Sequence, residues 1–518
     1  MNERIAQAFG LLPNYLAQHV LLSAAALALG VALSLPLAVL ASRYARIRWP
    51  ILAAASLVQT IPGLALLALF YPLLLGLSTL TKALVGVGVP ALGFLPSLSA
   101  LTLYSMLPIL RNGVAGLTGL PPAILEAADG VGMTPRQRLF RVEAPLAAPM
   151  VMAGVRTAAV WTIGAATLST AVGQTSLGNF IFSGLQTENW IFVLFGCAAA
   201  AALALAADQL LGLVEAGAAR RDARRFGLGL AGLALGTAAA LLPLFAAAGK
   251  TYAIGAKNFS EQFILSELIS ERLARAGVSV RHTDGLGSAV AFRALASGDI
   301  DCYVDYSGTL WTNVLERRDS PPREAMLAEL SRELKERYGV TLLGALGFEN
   351  AYALAMRADR AAALKTRTIA DLAREAPQLK LGSDLEFLSR PEWAALRDAY
   401  GLRFGVERSF NPTFMYRALE GGEVDVISAF SSDGRIAAQK LVVLADPKHA
   451  IPAYDAVILL SPQRANDAVL KQALEPLLGA IPVERMREAN FMVDRDADKA
   501  SPQDAARFLA NALRLPGS

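Results

Sequence analysis

Two cysteines in 518 residues, Cys197 and Cys302, are too few and too far apart for a disulfide scaffold or a thiolate metal site. Histidine is almost as scarce. His19, His282 and His449 stand alone, which excludes a His-rich zinc or iron centre, and no cofactor is expected. A Gly-x-x-x-x-Gly-Lys-Ser/Thr phosphate loop is missing from the whole chain, so the chain does not carry its own ATP-hydrolysing site. No nucleophile, base and orienting group fall into a recognisable set either, which leaves a membrane enzyme unsupported. Charge is sparse in one half only. Up to residue 249 there are 14 Lys and Arg and 8 Asp and Glu, against 34 and 36 in the remainder. The basic residues of the first half flank apolar runs instead of forming a soluble patch, so nucleic acid is excluded as a partner.

What the first half has is apolar length. Uncharged stretches near 19–41, 50–76, 91–110, 146–172, 190–213 and 227–247 each reach the roughly 20 residues that cross a hydrocarbon core. Pro36, Pro62 and Pro72 lie inside these runs and are tolerable there, because neighbouring helices satisfy the freed backbone groups. Arg43, Arg46 and Arg48 follow the first span, Arg111, Arg136, Arg138 and Arg141 the third, and Arg220, Arg221, Arg224 and Arg225 the fifth. The positive-inside rule places all of these in the cytoplasm, against only Arg4 and Lys82 opposite. The expected layout is a membrane domain over 1–215, a basic segment and tether helix over 216–249, and an extracytoplasmic domain over 250–518. The sixth run also reads as an embedded signal ending at Ala246-Ala247-Ala248, with the uncleaved tether preferred.

Between the third and fourth runs, Pro121 and Pro122 can start a short helix, Ala127 and Ala128 offer a small-residue surface, and Gly132 allows a tight turn. Glu126-Ala127-Ala128, Gly132 and Val142-Glu-Ala-Pro145 together resemble the cytoplasmic loop of ABC-importer permeases. Ile61-Pro-Gly-Leu-Ala-Leu-Leu, Leu107-Pro-Ile-Leu-Arg-Asn112 and Gly154-Val-Arg-Thr157 are similar to permeases of betaine, choline and carnitine importers, a likeness covering about 19–190. Ala144 departs from the leucine that the family favours. The resemblance implies an all-α membrane domain whose loop docks on a separate ABC ATPase subunit, and a homodimer in the bacterial inner membrane.

The second half contains a weak internal repeat. Phe292-Arg-Ala-Leu-Ala-Ser-Gly298-Asp-Ile-Asp301 aligns with Tyr416-Arg-Ala-Leu-Glu-Gly-Gly422-Glu-Val-Asp425, and an aromatic, Tyr306 or Phe430, follows each Asp at equal spacing. Each copy reads as a helix end, a glycine stop and a short strand. Ala253-Ile-Gly255-Ala-Lys257 and Lys380-Leu-Gly382-Ser-Asp384 read as strand, glycine turn and helix start. Two α/β lobes follow, the first over about 250–348 and 448–518 and the second over about 349–447, with a crevice between them. Gly255-Ala-Lys-Asn-Phe-Ser-Glu-Gln262, Asp305-Tyr-Ser-Gly-Thr309 and Ser432-Asp-Gly-Arg435 resemble osmoprotectant-type substrate-binding proteins.

That second resemblance implies a quaternary ammonium ligand such as glycine betaine, choline or carnitine, held in a cage of Tyr306, Tyr352, Phe430 and Tyr454. Such an ion has no N–H to donate, so aromatic faces are its natural partners, at roughly 0.5–2 kcal/mol per ring. Phe430 departs from the usual tyrosine. Arg390 matches the family's carboxylate-binding arginine, and Lys257, with Asn258 beside it, sits at a helix start that favours an anion. Tyr416 reads as core. Asp384 and Glu386 open a rival ligand of the same family: ergothioneine, whose imidazole ring N–H an acidic group could accept. A rival of another class, a membrane receptor with an outer sensing domain, would need a cytoplasmic output domain, and none is seen.

Overall fold

The computed structural model describes residues 3–513 apart from 87, 187–188, 221, 247–250, 318, 320, 449 and 496–497. Ala247 and Ala248 of the signal-like ending lie outside them. The chain divides into two compact units, Met1–Phe182 with Ile191–Ala248, and Ser183–Trp190 with Gly249–Ser518.

Among the described residues, six helical stretches are long and apolar enough to cross a membrane: Ile5–Arg43, Gly63–Val85, Phe94–Thr118, Pro135–Val172, Trp190–Arg220 and Ala223–Leu242. The helices concerned are α1 (Glu3–Arg43), α2 (Ala45–Thr60), α3 (Gly63–Val85), α4 (Phe94–Thr118), α5 (Pro122–Gly130), α6 (Pro135–Arg138), α7 (Ala144–Ala166), α8 (Gly178–Gln186), α9 (Trp190–Arg220) and α10 (Ala223–Ala246). One expectation fails. The run 50–76 is not one span, because the chain breaks between α2 and α3 at Ile61, whose backbone is extended (φ −73°, ψ 126°). Pro62 restricts its predecessor to that region and has no N–H to continue the ladder. Pro36 and Pro72 are carried inside α1 and α3.

Helices α1, α4 and α7 pack on one another. A Cβ on Gly154 would stand 2.7 Å from the Pro108 carbonyl oxygen and 2.9 Å from Asn112 Cβ, so two of the motif segments are complementary faces of the α4–α7 contact. Near the loop, Glu143 is buried and accepts from Arg43 Nη2 at 2.5 Å and Arg138 Nε at 2.8 Å. Arg138 also holds Asp129 at 2.6 Å. One buried carboxylate thus ties the end of α1 to the loop that contains α5 and α6.

In the second unit the core strands are β1 (Thr251–Lys257), β2 (Ser279–Leu286), β3 (Cys302–Tyr306), β4 (Thr341–Glu349), β5 (Tyr352–Arg357), β6 (Lys380–Asp384), β7 (Val406–Phe410), β8 (Val426–Phe430), β9 (Leu441–Val443) and β10 (Asp455–Leu460). They form two sheets of matching order, β2-β1-β3-β10-β4 and β7-β6-β8-β5-β9. In each, the first three strands are parallel and the fourth runs antiparallel to the third. The sheets are therefore mixed, and the fourth strand of each begins just after the chain crosses from the other lobe.

The repeat is visible in the backbone. Gly298 (φ 89°) ends the helix before β3 and Gly422 (φ 72°) precedes β8. Gly255 and Gly382, expected in turns, lie inside β1 and β6 instead. A Cβ at Gly255 would fall 2.4 Å from Ile300 Cδ1, so the glycine serves close packing and not a change of direction. Tyr416 is buried in the second lobe's core with the Arg435 guanidinium 3.9 Å from its ring centre.

Candidate ligand-binding site

A cleft of about 630 Å³, partly open to solvent, is lined by residues of both lobes. All eight ligand-site residues anticipated from sequence line it: Lys257, Asn258, Tyr306, Tyr352, Asp384, Arg390, Phe430 and Tyr454. Strand ends bring them together. Tyr306 closes β3, Tyr352 opens β5, Phe430 closes β8, and Tyr454 directly precedes β10. Tyr352 and Phe430 are cross-strand partners with ring centres 5.1 Å apart, and Tyr454 stands edge-on to Tyr352 at 6.1 Å. Gly308 makes room for Tyr454, since a Cβ there would come within 2.5 Å of its ring.

A fifth ring went unanticipated. Phe259 sits at the turn between β1 and the helix α11 (Ser260–Arg275), with its ring centre 6.2 Å from both Tyr306 and Phe430 and nearly parallel to the latter. It lies within a motif already singled out, but the aromatics chosen were those of strand ends. Ser288, Thr309, Asn350, Leu385, Glu386 and Asn411 also line the cleft. Of these, only Glu386 is singled out by the sequence for a contact with the ligand.

The polar groups are less free than the sequence suggests. Lys257 is buried and ion-paired to Asp305, which also accepts from the Tyr303 hydroxyl at 2.5 Å and from the Tyr306 backbone N–H at 2.7 Å. The expectation that Lys257 is a ready carboxylate ligand is corrected accordingly: its charge is already matched inside the first lobe. Asp384 accepts from the backbone N–H groups of Glu386 at 2.8 Å and Phe387 at 3.1 Å, so it shapes the turn after β6 as well as facing the cleft. Burial holds its carboxyl above the ordinary range, against those hydrogen bonds and Arg390.

Arg390 is buried and spans the lobes. It reaches Glu386 at 3.0 Å and Glu392 at 3.4 Å in its own lobe, and Ser288 Oγ at 3.2 Å and Thr309 Oγ1 at 3.4 Å across the cleft. Its guanidinium lies 5.3 Å from the Tyr352 ring centre, and its Nε is buried without a hydrogen-bond partner. Burial works to raise Glu386, but Arg390 and Lys257 outweigh it and leave that carboxyl below its ordinary value. Glu392 in turn accepts from Thr312 Oγ1 at 3.0 Å and from the Tyr454 hydroxyl. Two cations, Lys257 and Arg390, and two carboxylates, Asp384 and Glu386, line the cleft, and Asp305 and Glu392 pair with those cations from behind it. Burial raises the phenols of Tyr306, Tyr352 and Tyr454 well above their ordinary value, so they stay neutral.

The loop residues belong to the other unit. Pro122 is the first residue of α5, and Gly132 adopts φ +79°. Glu126 and Ala127 are exposed, whereas Ala128 is buried. The small-residue surface expected of the Ala127-Ala128 pair is corrected: it is Ala127 alone, because the rotation of about 100° per residue along the helix carries its neighbour inward.

A polytopic helical domain followed by two lobes around a ligand cleft is the layout of a membrane importer that carries its own binding domain. Residues 30–220 match the family described as the binding-protein-dependent transport system inner membrane component, and residues 250–511 match the substrate binding domain of ABC-type glycine betaine transport systems. The chain belongs to this family as an ABC-importer permease fused to an osmoprotectant-type substrate-binding domain. It is 29% identical over 483 residues to the ergothioneine transport permease/ergothioneine binding protein EgtU of Helicobacter pylori, covering 90% of this chain and 84% of that one. It is 37% identical over 198 residues to the choline transport system permease protein OpuBB of Bacillus subtilis, covering 38% of this chain and 84% of that one. Among solved structures, that of a glycine betaine/carnitine/choline ABC transporter is similar at 28% identity and a TM-score of 0.44, covering 51% of this chain and 99% of the other. The class makes the chain a multi-pass inner-membrane transport subunit and implies an ATPase partner and a small ligand.

Proposed function

We propose that the chain imports a quaternary ammonium compound, captured by the outer lobes between Tyr306, Tyr352, Phe430 and Tyr454, with Phe259 as a fifth ring. The observation that carries this reading is the convergence of aromatic rings in one cleft that also presents two carboxylates, Asp384 and Glu386. A permanent cation suits such a place, since the rings attract it and the carboxylates neutralise it without needing a donor. Arg390 receives a carboxylate at the other end of the ligand, and Asn258 contributes an amide. The binding domain lies outside the cytoplasmic membrane, on the face opposite the basic loops. Two copies work with two ATPase subunits, each docked on the loop carrying Glu126, Ala127 and Gly132.

Ergothioneine is the second reading. Asp384 and Glu386 line the cleft with the cage, where a ring N–H could reach a carboxylate. The fused relative EgtU is named for that ligand. The test is calorimetric titration of the full-length protein in lipid nanodiscs with glycine betaine, choline, carnitine, proline betaine and ergothioneine. Tight binding of the small compounds supports an osmoprotectant importer; tight binding of ergothioneine alone supports antioxidant uptake. Silence across the panel overturns the cage.

A further inference from the structure

Glu261, the second residue of α11, is a fully buried carboxylate directly behind the cage. Its Oε1 accepts from the Tyr306 hydroxyl at 2.6 Å and Asn350 Nδ2 at 3.1 Å, and its Oε2 from Ser432 Oγ at 2.5 Å and Asn490 Nδ2 at 2.8 Å. Every partner donates and none is a cation. The direction of the Tyr306 bond is fixed, because Gln262 Nε2 donates to the same phenol oxygen at 2.9 Å and leaves its proton to point at Glu261. Burial pushes this carboxyl above its ordinary value, and the four donors pull it back toward the charged form.

We infer that Glu261 is a positioning residue which sets the cage's preference for a cation over an uncharged group of the same shape. The inference rests on the cage reading above. Glu261 touches no ligand and acts through Tyr306. A phenol that donates to a carboxylate carries more negative charge on its oxygen and ring, so its face attracts a cation more strongly, and chained hydrogen bonds reinforce one another. Exclusion of bulk water preserves the effect, since the carboxylate and Tyr306 are both buried. An uncharged tert-butyl group fills the same cage but gains nothing from it.

The experiment is a matched titration of the full-length protein in nanodiscs with choline and with dimethylbutanol, its neutral isostere carrying tert-butyl in place of trimethylammonium. Glu261→Gln is expected to weaken choline about tenfold, equivalent to about 1.4 kcal/mol, while the neutral isostere changes by less than about twofold. Equal losses for both ligands would mean that Glu261 only holds the fold, and unchanged choline affinity would mean that its charge is not felt; either overturns the inference. Should Glu261→Gln not fold, Tyr306→Phe keeps the ring and removes the link. It too must weaken choline more than the isostere, and parallel losses overturn the inference. If wild type binds neither choline nor any betaine, the cage reading itself falls and this inference with it.

Discussion

Arg390 offers the sharpest test of how the cleft reads a ligand's second end. Two carboxylates already face its guanidinium, at 3.0 and 3.4 Å, and both terminal nitrogens are engaged across the cleft. What remains is the buried Nε, which has no partner. A ligand carboxylate can take that one charge-assisted hydrogen bond, worth about 1.5–3 kcal/mol, or roughly tenfold to 150-fold in affinity. Replacing Arg390 alone would leave Glu392 buried and unopposed, and breaking a buried pair costs about 3–5 kcal/mol of stability. The perturbation is therefore Arg390→Gln with Glu392→Gln, which removes one charge of each sign.

Titrated in full-length protein, the double variant is expected to lose glycine betaine by tenfold or more while choline, which has no carboxylate, shifts by no more than about threefold. A thermal melt checks that the variant is folded. Equal losses for the two ligands would show that Arg390 only props the cleft. An unchanged glycine betaine affinity would show that no carboxylate reaches it.

Two further outcomes are expected. Glu126→Lys with Gly132→Pro should abolish ligand-stimulated ATP hydrolysis by the assembled importer yet leave binding intact, because proline, with φ fixed near −65°, does not reach the +79° of Gly132; normal uptake would remove the loop from coupling. Burial pushes Asp494 up to about 6, with Ser260 Oγ 2.5 Å away and Arg435 at 3.8 Å too distant to cancel it. A carboxyl raised in the folded state binds its proton more tightly there, so its burden on stability is absent below about pH 4 and grows as pH rises through about 6. Asp494→Asn should therefore gain melting temperature over wild type as pH goes from about 5 to about 7.5, on the order of 1.5 kcal/mol of stability, and parallel profiles would refute it.

Apolar length and arginine placement made the membrane half legible, because a hydrocarbon core demands long uncharged runs whatever the tertiary contacts. Pro62 was misread for a local reason: composition does not say whether a proline's missing bond will be absorbed by neighbours or will end a helix. Gly255 was misread as a turn because a glycine that admits Ile300 looks, in sequence, like one that bends the chain. Tyr306 and Phe430 were legible through the repeat, which places them at equivalent strand ends, whereas Tyr352 and Tyr454 came only from the family resemblance. Phe259 has no counterpart there, and only its stacking reveals it. Nor could charge be balanced from sequence. Asp305 lies 48 positions from Lys257, and only the pairing of β1 with β3 makes them neighbours.

The same side chains that line the cleft also bridge its walls. Arg390 of the second lobe reaches Ser288 and Thr309 of the first, and Glu392 reaches Thr312 and Tyr454. A ligand can favour the bridged arrangement only by as much as it binds that arrangement better than a separated one. A trimethylammonium head placed between Tyr306 and Phe430 meets this condition, because the two rings belong to different lobes and Phe259 spans them. An uncharged head of the same shape would gain less from those rings. On the proposed reading, recognition of a permanently positive end and closure of the lobes are therefore one event.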